Sequence, residues 1–293
     1  MGYRLRKNES AAAGLRRVAK EEIDAALEQL ERARRAPEDS VHELRKQFKK
    51  IRSIVRLARN ELGEKVFDRE NAALRKLGRR LSPVRDASVL AATAGRLKKT
   101  PPLVEKRLVT KRRAELARLR RGAGLDAIGR ELERLKDRVA SWPIQKDGFA
   151  ALEPGLRRTY RRGRKGEADA YASLTDEAFH EWRKRAKDLR YHVELLEKIW
   201  PETLKDYAES LHDLTDDLGD DHDLAELRRT LSASKPLAGV RGVPALQRRI
   251  EKRRSKLQAA ARPLGDRIYS EKPKDFTRRI ESYWETWRSE GAS

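Results

Sequence analysis

Apolar positions along the chain recur three and four residues apart, the spacing of one helix face. In the segment after Pro37, Leu44, Phe48, Ile51, Val55 and Leu62 fall on one side of a helical projection. Alternating strand-like runs of Val, Ile, Thr and aromatics are absent. The expected class is all-α, with about a dozen helices set by proline and glycine. The first spans Ala11–Arg35 and stops before Pro37. Ser40-Val41-His42-Glu43 reads as a capping box opening the second, which continues to about Leu62. Gly63 and Pro83 bracket the third and a fourth follows Pro83. Pro101-Pro102 opens a long basic helix ending near Gly122, and Leu125–Trp142 fills another. The chain resumes near Phe149, breaks after Gly166 and restarts near Thr175. Later breaks fall at Pro201, Gly219, Pro236 to Pro244, Pro263 and Pro273.

Comparing the chain with itself adds organisation. Val41–Leu57 (VHELRKQFKKIRSIVRL) matches Phe179–Leu195 (FHEWRKRAKDLRYHVEL) 138 positions on, with eight identities in seventeen. Leu81–Leu90 matches Leu218–Leu227 at 137 positions, aligning Asp86 with Asp223 and Arg85 with His222. Gly14–Arg17 recurs as Gly155–Arg158 at 141. Three blocks in one order at nearly constant spacing predict an internal duplication. The expected architecture is a single domain over 1–293. It would comprise two four-helix-type bundles, about 8–140 and 146–290, related by a pseudo-two-fold axis.

The repeated helix carries a cationic stripe. At 100° per residue, His42, Arg45, Lys49, Arg52 and Arg56 lie within about 80° of one another, away from the apolar face. The second copy presents His180, Arg183, Lys187 and Arg190, with Glu194 where Arg56 stood. Neighbouring letters diverge (Lys50 becomes Asp188), while His, Arg, Lys and Arg recur in both. Two such helices facing each other would line a positive cleft. The reading puts both histidines in the first turns of their helices, His42 near the second position, where free N–H groups suit an anion. Cations beside an imidazole push it toward neutral; a bound phosphate reverses that.

Composition fixes the kind of partner. Lys plus Arg number 69 and Asp plus Glu 47, a formal charge of +22 over 293 residues. That field favours polyanions. With no cysteine, disulfides, thiol catalysis and thiolate metal sites are excluded. No segment approaches the ~18 apolar residues of a membrane span, and the N-terminus lacks an apolar signal core, so a cytoplasmic chain without membrane contact is expected. Arg157–Lys165 holds six basic residues in nine, and Lys111–Arg121 and Arg248–Lys256 are similarly loaded. Aromatics make up 6%, and Trp142, Trp182, Trp200, Trp284 and Trp287 read as packing residues rather than base-stacking platforms.

The acidic stretch Glu202–Glu226 offers two metal-like strings, Asp216-Asp217-Leu218-Gly219-Asp220 and His222-Asp223. Only Asp86 and Asp223 are shared by the repeat. Such a carboxylate beside Arg-rich helices is expected to orient an arginine rather than hold a catalytic metal. No phosphate-cradling Gly-rich loop or nucleophile elbow is present. No catalytic residue, metal or cofactor is assigned.

The two copies of H-x-x-R-x-x-x-K-x-[IL]-R, each followed by L-x(4)-D-x(3)-L, resemble the CHAD (conserved histidine α-helical) domain family across essentially the whole chain. That resemblance implies two four-helix bundles and a basic central groove that binds inorganic polyphosphate without catalysis, at polyphosphate granules. It further implies that Arg17, Arg158 and Arg85 join His42, Arg45, Lys49, Arg52, His180, Arg183, Lys187 and Arg190 in lining that groove. His222, standing in place of Arg85, departs from the pattern. Two other readings of the stripes are non-specific nucleic-acid binding and metal-dependent phosphohydrolysis.

Overall fold

The computed structural model describes residues 2–290 and is all-α; no strand occurs among them. The helices are α1 (Ala11–Arg35), α2 (Pro37–Leu57), α3 (Arg59–Arg96), α4 (Pro102–Arg121), α5 (Gly124–Ala140), α6 (Glu153–Ser173), α7 (Asp176–Leu196), α8 (Pro201–Ala233), α9 (Lys235–Ala238), α10 (Val243–Ile268) and α11 (Pro273–Ser289). None is long and apolar enough to cross a membrane.

Their ends follow local chemistry. Ser10 caps α1 by accepting from the Ala13 N–H at 3.1 Å, and Thr175 caps α7 by accepting from the Ala178 N–H at 3.3 Å. The expected capping box at Ser40 is not formed. Pro37 starts α2 with its ring at the first turn, so Ser40 lies inside the helix and its hydroxyl donates to the Ala36 carbonyl at 2.9 Å. His42 and His180 therefore sit in the second turns, beyond the free N–H groups. Gly63 does interrupt the chain, at φ 69°, a conformation that side chains with a Cβ rarely adopt. The breaks expected at Pro83, Gly166, Gly219 and Pro263 are absent: α3, α6, α8 and α10 run through them. A proline inside a long helix removes one hydrogen bond and bends the axis; packing on both sides holds the rest.

Neighbours repeat in order. α1 packs on α2, α2 on α3 and α3 on α4, with α5 returning to α1. Likewise α6 packs on α7, α7 on α8 and α8 on α10, with α11 returning to α6. Between the sets, α2 meets α7 and α3 meets α8. The main core is continuous across both sets, joining Leu15, Ile51 and Leu132 to Trp182, Leu211 and Phe276. A smaller core joins the far end of the α3–α4 hairpin (Leu90, Leu108) to that of α8–α10 (Leu231, Leu246). Each buried Leu, Ile or Phe contributes about 1.5–3 kcal/mol.

The α6 helix lies tight on α2: a Cβ at Gly155 would meet the Leu57 carbonyl oxygen at 1.9 Å. An N-terminal strap crosses to the second set. Tyr3 and Leu5 are buried, the Leu5 N–H donates to the Leu195 carbonyl at 3.0 Å, and Arg4 pairs with Glu197 at 2.7 Å. Arg288 of α11 donates to the Glu9 carbonyl at 2.8 Å. The tryptophans expected to pack do so: Trp142, Trp182, Trp284 and Trp287 are buried, and Trp200, though 43% exposed, packs edge-on against Tyr283 with ring centroids 4.5 Å apart.

Candidate anion groove

The cationic stripes of α2 and α7 come together where those helices meet. Lys49 has Arg45 and Arg85 on its own side and Arg183 and Arg190 from α7 as its charged neighbours. Lys187 has Arg183, Lys49, Arg190 and one carboxylate, Asp216. Among the described residues, neither lysine nor Arg183 makes an ion pair or hydrogen bond, and the buried Arg183 Nε and His180 Nδ1 have no partner.

Crowding of like charge in a partly desolvated place disfavours protonation. Burial first, then the neighbouring cations, pushes Lys187 down to about 6. The Lys49 side chain reaches solvent, yet the surrounding helices and then Arg183 push its ammonium to about 7. His42 is lowered and His180 falls to about 4, both chiefly by burial, with cations adding less. The neutralising influence expected of the cations is thus secondary to desolvation. His222, where the first repeat has Arg85, stacks on His180 with ring centroids 4.1 Å apart and is pushed to about 2.

The flanking residues are held by specific contacts. Arg45 Nη1 donates to the Gly78 carbonyl at 2.6 Å and to Ser82 Oγ at 3.2 Å, one turn before Pro83. Arg52 Nε donates to Asn71 Oδ1 at 2.8 Å. Arg45, Lys49 and Arg52 open onto a cavity of about 280 Å³ whose other wall, on α3, carries Arg75 and Arg79. These two arginines were not singled out from the sequence because α3 shows no second copy of them; the signal was the i, i+4 spacing of Arg75 and Arg79 alongside Gly78 and Ser82. On α7, Arg190 lies 2.9 Å from Glu194 and places its guanidinium 5.2 Å from the Tyr191 ring. Arg85 reaches across to Asp223 at 3.3 Å and lies at the same distance from Asp86, so both shared carboxylates orient an arginine as expected.

Other predicted residues are held in contacts of their own, Arg56 among them although it stays beside Arg52. Arg17 is not brought to the row: Glu9 at 2.6 Å and Glu21 at 3.1 Å hold it, and the Arg4 carbonyl accepts its remaining edge. Arg56 pairs with Asp188 across the α2–α7 crossing, and Arg158 donates to Asn60 Oδ1 at 2.7 Å and to the Arg56 carbonyl at 2.9 Å. Arg56 and Arg158 line a separate cavity from that of Arg45, Lys49 and Arg52. Of the outer basic segments, Arg254 is structural, buried between Asp221 at 2.9 Å and Asp176 at 2.7 Å.

Much of the acidic stretch is spent in similar contacts, Asp217 excepted. Asp220 lies 3.6 Å from both Arg96 and Arg253, Asp221 holds Arg254, and Asp216 lies 3.1 Å from the exposed His212. No group of three or more potential metal ligands occurs among the described residues. The arrangement is suited to holding a string of oxyanions with fixed N–H donors.

A family model described as the CHAD domain matches residues 17–232, which takes in both stripes and both Asp blocks. No curated protein matches the chain. With the greater part of its length matched, the chain belongs to the CHAD domain family.

Proposed function

We propose that this protein binds inorganic polyphosphate without cleaving it, along the cationic row shared by α2, α3 and α7, and so associates with polyphosphate granules in the cytoplasm. The family's association with polyphosphate supports the polymer. The carrying observation is the convergence of Lys49, Arg183 and Lys187 from two helices, with Asp216 and Asp223 near them but no ion pair made among the described residues. Crowded cations weaken a fold, since each is partly desolvated and only incompletely offset by opposite charge. A ligand with charge on every phosphate and no bases supplies the missing counter-charge to all of them at once. The two halves are read as copies of one duplicated unit, supported by the matching order of helix neighbours and the recurring blocks.

Nucleic acid offers the same phosphates but adds bases, for which the buried Trp142 and Trp182 provide no platform. The test is a titration with long-chain polyphosphate against duplex DNA at equal phosphate concentration. Polyphosphate should bind tighter, with log affinity falling against log salt by about 0.7–0.9 per charge neutralised. Arg183→Ala should weaken it by about 1–3 kcal/mol, as for a charged hydrogen bond left unmade, with the melting transition retained. DNA binding as tight as polyphosphate overturns the reading, as does an Arg183→Ala protein that binds normally.

A further inference from the structure

The cavity that receives Arg56 and Arg158 has a chemistry of its own. It measures about 40 Å³, far below the ~300–1,000 Å³ of drug-sized ligand sites, and so has room for one small group. Arg59, Arg162 and Arg185 complete its cationic wall, Phe67 forms its apolar side, and Asp188 is the single carboxylate. Five guanidiniums therefore surround one acid. Asp188 serves Arg56 and, at 3.5 Å, Arg185, which Glu181 just outside the lining also holds at 3.0 Å. Arg59 lies over the Phe67 ring at 4.5 Å, which fixes its plane and leaves its N–H edges free. Among the described residues, Arg59 and Arg162 make no ion pair or hydrogen bond.

The other half of the chain shows what the same positions look like when satisfied internally. Counting 138 positions on, Arg56 and Arg59 become Glu194 and Glu197; counting 141 back, Arg158 and Arg162 become Arg17 and Glu21. There Glu197 holds Arg4 at 2.7 Å, Glu194 lies 2.9 Å from Arg190, and Glu21 and Glu9 share Arg17. Tyr3 of the strap is buried beside them, its hydroxyl 3.2 Å from the Lys50 carbonyl. One set of positions is neutralised by its own carboxylates; the other keeps an excess of positive charge around its hollow. Packing requirements common to both sets therefore do not account for the arginines.

We propose that the Arg56–Arg59–Arg158–Arg162–Arg185 hollow is a second anion site, which takes one phosphate group, supplied either by the end of a polyphosphate chain or by a separate short oligophosphate. Arg162 and Arg59 offer free donors, and Asp188 holds Arg56 and Arg185 in place for the incoming oxygens. The two cavities share no lining residue, although Arg52 of the groove has Arg56, Asp188 and Arg185 of the hollow among its charged neighbours, so each site needs its own reporter.

The experiment is an NMR titration of the full chain with tripolyphosphate and, separately, with long-chain polyphosphate. The Phe67 ring reports the hollow, and the His180 and His222 imidazoles report the groove. Phe67 signals should shift and saturate. Arg162→Glu, which installs the acid found at Glu21, should weaken that response about tenfold while the imidazoles still respond to long chains. Saturation of Phe67 by tripolyphosphate identifies a separate oligophosphate; saturation by long chains alone identifies the chain end. An unchanged Phe67 response in Arg162→Glu overturns the proposal, as does saturation by sulfate at the same concentration. Silent imidazoles beside a saturating Phe67 would instead remove the groove reading and leave this one standing.

Discussion

Polyphosphate binding should consume protons, and the number follows from the two central lysines. In the free protein Lys187 titrates near 6 and Lys49 near 7. At pH 8 they are about 1% and about 10% protonated, whereas an ammonium ringed by phosphate returns to its ordinary range near ~10.4. Binding at pH 8 should therefore take up about one proton at Lys187 and up to one more at the solvent-reaching Lys49, and log affinity should fall by about one to two per pH unit there. At pH 6 the lysine uptake shrinks to about 0.6, because most of the charge is already present. The sign is definite: raising the pH weakens binding, since the free protein surrenders the protons that the complex needs. Titration calorimetry at constant ionic strength, in buffers of different ionisation heat, counts those protons directly. Lys187→Met should remove about one proton at pH 8 while leaving the Lys49 share. Uptake near zero at pH 8, or affinity level from pH 6.5 to 8.5, refutes the reasoning.

Two further predictions concern the scaffold. Gly155→Ala forces a methyl onto the Leu57 carbonyl and should destabilise the fold by about 1–3 kcal/mol in denaturant unfolding, whereas Gly95→Ala, with nothing within 4 Å, should not; equal effects would refute the tight α2–α6 contact. His192 is fully buried with Nε2 2.9 Å from the Ser53 carbonyl, and burial pushes it to about 4. The unfolded chain takes a proton first, near 6.5, so stability from this group should be complete above that pH and decline by about 3 kcal/mol toward pH 4. His192→Gln should flatten that part of the pH–stability curve; an unaltered slope would refute the assignment.

The class of fold was legible because helix periodicity needs only the residues themselves. The helix start at Pro102 and the breaks at Pro201 and Pro273 were legible for the same reason, as a proline in the first turn sacrifices no hydrogen bond, whereas at Pro37 the Ser40 capping pattern drew the start three residues too late. Pro83 and Pro263 misled, because whether an internal proline ends a helix depends on tertiary packing that sequence spacing does not carry. The cationic row was readable through its second copy, which separated constrained positions from drifting surface letters. Arg75 and Arg79 had no such copy. Arg17 matched its motif, yet its fate was decided by Glu9, which precedes α1 and reaches it only once the chain folds back. Arg56 and Arg158 were assigned to the row by periodicity and motif; the α2–α7 crossing, invisible in either helix alone, turns them toward Asp188 and Asn60.

The N-terminal strap carries a consequence for biogenesis. Tyr3 and Leu5 leave the ribosome long before Leu195, against which Leu5 finally rests. Until α7 has been synthesised these residues have only part of their native seat, Leu5 beside Gly14 of α1 and Tyr3 on Lys50 of α2, and a half-made chain leaves their other side and the α7-facing edge of α2 bare. Contacts this distant in sequence form late. The first five helices should thus wait as a loosely closed nascent species, its completion timed by translation of the second half.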